Sequence, residues 1–127
     1  QYLTDVDVAD RPHLWRCASL VDAGIGVAFG SDAPYGSADP WAMISAATQR
    51  RTVGGRTLGP AEALGARDAL ARLQGSAALP TTPRELVVGT RADLCLLDRS
   101  LNDMLAAPDA LAVRATVVGG NLVFSRS

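Results

Sequence analysis

The uninterrupted run Ile25-Gly26-Val27-Ala28-Phe29-Gly30 constrains this chain more than any other feature. A half-solvated strand alternates apolar and polar residues, and this run does not. It therefore reads as a strand covered on both faces, as in a parallel sheet. Gly24 precedes it as a helix stop, and the polar stretch from Ser31 to Ala38 follows it. Strand–loop–helix units of this kind put the loop at the carboxyl end of the strand, where barrel and doubly wound enzymes keep their working residues. Asp32 falls in that loop, two residues beyond the run.

The flanking segments read as helices. Asp10 and Pro12 suit a helix start over 11–23, with Leu14, Cys17, Ala18 and Val21 at helical spacing. Asp39-Pro40 pairs a cap with a first-turn proline and opens a helix over 40–52, with Trp41, Ile44, Ala47 and Thr48 on one face. Gly59-Pro60-Ala61-Glu62 marks another helix start, with Glu62 placed to reach back to free N–H groups. One or two Ala/Leu-rich helices should run from there to about Leu79, and Pro80-Thr81-Thr82-Pro83 ends them as a linker. Beyond it, residues 86–88, 93–97 and 115–118 read as strands, and Gly119-Gly120 suits a two-residue hairpin turn into 121–124. The fold class is α/β with a small β-rich tail.

Composition narrows the function classes. The length of 127 residues fits one domain. The formal charge is −1 and lysine is absent, so no basic surface supports counterion-release binding to nucleic acid. No run of about 18 apolar residues could span a bilayer, and no signal peptide is visible, so the expected location is the cytoplasm. Two widely spaced cysteines, Cys17 and Cys95, read as core thiols rather than a disulfide scaffold. His13 is the single histidine. A catalytic zinc usually takes three protein ligands, most often imidazoles, so this chain by itself does not supply such a set.

A carboxylate at position 32 can bind a metal, orient a water or accept its proton. It can equally cap a turn through its own backbone, and spacing alone leaves both readings open. The stretch from Asp22 to Pro34, read as Asp-Ala-Gly-Ile-Gly-Val-Ala-Phe-Gly-Ser-Asp-Ala-Pro, resembles the eighth barrel strand and following loop of metal-dependent amidohydrolases. The resemblance is to the amidohydrolase-3 type, which includes N-acyl amino acid deacylases and formamide hydrolases. It extends through Asp39-Pro40-Trp41, Gln49-Arg50-Arg51-Thr52, the helix start at Pro60, the Gly89–Asp98 strand region and the hairpin at Thr116–Phe124.

The resemblance implies that Asp32 is a catalytic residue, serving as metal ligand and proton shuttle in the hydrolysis of non-peptide carbon–nitrogen bonds of small amides. It also implies a divalent metal, zinc by preference, whose remaining ligands lie upstream of this sequence. A whole (β/α)8 barrel takes about 250 residues. The implied architecture is thus the C-terminal fragment of a TIM barrel plus part of a small β-sandwich domain. Residues 1–80 would hold the last barrel strand and its helices, and residues 81–127 the β part. Such a fragment is expected to be inactive alone, completed by upstream barrel residues or by a copy of the chain. The alternative is a non-catalytic structural module that self-associates through the exposed edges of the apolar strand.

Other candidates weigh less. Tyr35 and Trp41 both flank the Asp32 loop, and for Tyr35 lining a substrate pocket and packing in the core stand about even. Trp41 suits helix packing. His13 reads as a solvated or capping imidazole rather than a ligand. Arg50, Arg51 and Arg56 could meet a substrate carboxylate, but solvated arginines complementing a helix dipole are the better reading.

Overall fold

Asp39 starts the longest helix among the described residues. Its carboxylate accepts the Trp41 N–H at 2.9 Å, and Pro40 occupies the first turn where no N–H is needed. In the computed structural model, which describes residues 2–126, the chain divides into two compact units, one ending at Pro83 and one starting at Arg84. No helix of the described residues is long and apolar enough to cross a membrane.

The first unit contains α1 (Tyr2–Asp5), α2 (Cys17–Asp22), α3 (Pro40–Gln49) and α4 (Ala66–Ala71), with 3-10 turns at Arg11–His13 and Pro60–Glu62. Its core is built on α3. Trp41 and Ile44 are buried one turn apart and pack toward α4, where Ala69 is fully enclosed. Leu58 and Leu64 close the same core, and the Leu64 N–H donates to the Ala47 carbonyl at 3.1 Å. Full burial of a side chain such as Ile44 stabilises by about 1.5–3 kcal/mol.

Several expectations change here. The helix over 11–23 splits, because Leu14 turns into extended backbone and Trp15 takes a positive φ of 48° before α2 begins. Asp10 makes no side-chain cap. Helix α3 stops at Gln49 because Arg50 adopts the left-handed region at φ 52°. The helices beyond Pro60 are shorter than expected and end at Ala71. Glu62 does not reach back within its own turn. It is buried against α2, accepting the Ser19 N–H at 2.9 Å and the Ser19 hydroxyl. These bonds, with Arg16 adding a smaller electrostatic contribution, hold its carboxyl below the usual glutamate pKa.

The largest departure concerns residues 25–30. They form no strand, and Ile25 is 53% exposed. Only two of their amides find backbone acceptors among the described residues: Ile25 N–H donates to Leu20 O and Phe29 N–H to Arg72 O, both at 2.9 Å. A parallel strand requires a hydrogen-bonded neighbouring strand, and none of the described segments supplies one.

The second unit is an antiparallel sheet in the order β1 (Leu94–Leu97), β2 (Val113–Val118), β3 (Asn121–Ser125), with α5 (Leu101–Ala106) between β1 and β2. The expected hairpin forms: Val118 pairs with Asn121 across Gly119 and Gly120, whose φ values of 57° and 84° suit a primed turn. Leu94 pairs with Val117, and a bulge falls between Leu96 and Leu97. Met104, Leu105 and Ala112 make the buried core. Helix α5 was not foreseen. Ser100 caps it by accepting the Asp103 N–H at 3.2 Å. Residues 86–88 form no strand, and Thr90 instead folds back onto the Val87 carbonyl. Cys95 lies exposed on β1 rather than in the core, although partial burial still pushes its thiol pKa up.

Candidate functional site

The loop after residues 25–30 is closed by backbone groups. The Asp32 carbonyl accepts the N–H groups of Tyr35 at 2.9 Å and Gly36 at 3.0 Å, and Ser31 Oγ accepts the Ala33 N–H at 3.3 Å. Asp32 sits in the left-handed region at φ 52°, which aspartate tolerates better than most residues. Gly36 is required for the closure, since a Cβ there would stand 2.1 Å from the Ser31 carbonyl oxygen. The loop then runs through Ser37, whose Oγ accepts the Asp39 N–H at 3.2 Å, into α3.

This geometry separates the two readings of Asp32. A turn-capping aspartate uses its side chain, as Asp39 does. At position 32 the carbonyl closes the turn, and the exposed carboxylate has no hydrogen bond or ion pair among the described residues. It is therefore available to water, a cation or a ligand.

Tyr35 belongs to the same turn and is 92% exposed. The structure thus brings Asp32 and Tyr35 into one loop but leaves both exposed. His13 stands apart in its own 3-10 turn. Among the described residues no group of three or more His, Cys, Asp or Glu side chains could hold a metal ion. The donor chemistry of Asp32 suits one position of a metal site and does not make up the whole of it.

The chain matches the model of the amidohydrolase family over residues 4–124. The chain belongs to the amidohydrolase family. It is also 32% identical over 119 residues to an N-substituted formamide deformylase of Arthrobacter pascens, an alignment covering 90% of this chain and 22% of that protein. The chain thus spans about a fifth of the length of that curated relative. No solved structure matches it.

Within this amidohydrolase sequence the arginine reading needs correction. Arg50 is half-buried and structural, donating through Nε to Leu58 O at 3.0 Å and through NH2 to Leu14 O at 3.1 Å. A guanidinium fork that spans two loop carbonyls leaves the helix-dipole role secondary. Sequence reading also missed a cavity of about 660 Å³ that Arg50 lines with Arg51, Arg56, Tyr2 and Trp15. No local pattern marks it, because its walls come from residues 2–4, 15–17 and 46–58.

Proposed function

We propose that this chain contributes the Asp32 loop to a metal-dependent hydrolase acting on non-peptide carbon–nitrogen bonds, with small amides as substrates. The observation that carries the reading is the uncommitted Asp32 carboxylate on a backbone fixed by its own turn. In the reaction the oxygen of water attacks the amide carbonyl carbon, the C–N bond breaks, and a carboxylic acid and an amine leave. Asp32 accepts the proton that water gives up and passes it to the departing nitrogen. Tyr35, beside it in the turn, meets the substrate. Asp32 also serves as one oxygen donor to a divalent cation, zinc in this reading, which supplies polarisation of the carbonyl when bound.

On this reading residues 1–80 carry the last strand and helices of a (β/α)8 barrel, and residues 81–127 belong to the small β domain. The open edges of residues 25–30 await neighbouring strands, and the other metal donors come from further polypeptide or a second copy. The isolated 127-residue chain is then inactive. Formamides are the first substrates to try, since the Arthrobacter relative is an N-substituted formamide deformylase.

The test measures amine release from N-alkyl and N-aryl formamides, with zinc, by this chain and by a longer protein carrying a His-x-His strand ahead of it. Turnover is expected in the longer protein alone. Equal turnover by the short chain would overturn the reading. The exposed apolar run also favours a second reading, self-association as a structural module. A well-folded small oligomer in light scattering supports that one, and a chain that forms no such oligomer supports the first.

A further inference from the structure

We infer that the cavity at the carboxyl end of α3 binds an organic monoanion with an apolar body, such as a medium-chain carboxylate. The inference goes beyond the hydrolase reading and uses none of its residues. The cavity encloses about 660 Å³, within the roughly 300–1,000 Å³ of small-molecule sites. Leu3, Val53 and Leu58 contribute apolar wall, together with Tyr2 and Trp15, whose rings meet edge to face with centroids 4.3 Å apart.

Charge selects the class of ligand. Three arginines line the cavity and no acidic side chain does. Arg50 is fixed in the wall by its bonds to the Leu58 and Leu14 carbonyls. Arg51 and Arg56 stand on a short hairpin, held by the Arg51–Thr57 bridge and by the Thr52 N–H donating to Arg56 O at 2.8 Å. Their guanidinium groups have no hydrogen bond or ion pair among the described residues. A guanidinium takes a carboxylate through two parallel N–H donors, and an aliphatic chain gains by leaving water for the apolar wall. A neutral amide uses only the wall, and an inorganic anion uses only the arginines. A carboxylate with an alkyl tail uses both.

The test is an NMR titration of the isotopically labelled chain with octanoate, with octanol as the uncharged control. Saturable shifts are expected at the Leu3, Val53 and Leu58 methyls and the Trp15 indole, with octanol at least about tenfold weaker. The double variant Arg51→Gln/Arg56→Gln alters only exposed side chains and should weaken octanoate by about tenfold or more. Ala46→Phe, from an exposed position of α3 that lines the cavity, should abolish the shifts. Absence of saturable shifts in the unaltered chain, equal binding of octanol, or undiminished octanoate binding by a folded variant would each overturn the inference.

Discussion

Residues 25–30 and residues 113–125 are both rich in strand-forming side chains, yet only the second segment forms a ladder. The difference lies in where each finds its partner. Antiparallel strands joined by two glycines pair within a dozen residues, and β1 adds to the same sheet across one short helix. A parallel strand pairs only across a crossover of a dozen residues or more, so it depends on distant chain. An apolar run with no polar alternation is thus a statement about neighbours as much as about itself.

Hydrogen exchange breaks or sharpens this contrast most strongly. The amides of Gly26, Val27, Ala28 and Gly30 should exchange close to the unfolded rate, while paired β2 amides should be slower by about a thousandfold or more. Comparable protection in both segments would show that residues 25–30 have found a partner. Core truncations come next. Ile44→Ala in the first unit and Met104→Ala in the second should each cost about 2–5 kcal/mol in denaturant unfolding, because both side chains are fully buried.

Acid titration compares the units through one carboxylate each. Asp93 accepts the Gly119 N–H at 2.7 Å and pairs with Arg84 and Arg91 at 2.9 Å, in that order of importance for holding its pKa low. Glu62 is held low by Ser19. A carboxyl whose folded pKa lies below its unfolded one contributes stability that is complete above about pH 5 and fades as pH falls through the lowered value. Thermal melting at about pH 3 should therefore fall below that at about pH 6. Glu62→Gln should blunt the acid response of the first unit and Asp93→Asn that of the second. The smallest effect is expected at the α5 cap, where Ser100→Ala should cost about 1 kcal/mol.

The sequence exposed those features whose causes are local. The Asp39-Pro40 cap, the Gly119-Gly120 turn and strands β1 to β3 follow from neighbouring residues. The partner of Glu62 was hidden, since a capping glutamate and one that binds Ser19, 43 positions away, look alike in one dimension. The stop at Arg50 was hidden too, because it rests on two distant carbonyls. At the site, the position of Asp32 in a loop after residue 30 was legible. That its carbonyl rather than its carboxylate closes the turn was not, because either group can do so.

In the proposed function the Asp32 carboxylate serves chemistry and contributes nothing to the fold. Asp32→Asn keeps the side-chain shape and the tolerance for left-handed backbone while removing the charge. In the longer, active protein it should lower formamide turnover by about 10²–10⁴-fold and leave unfolding stability within about 0.5 kcal/mol. Undiminished turnover, or a loss that tracks unfolding, would contradict the account.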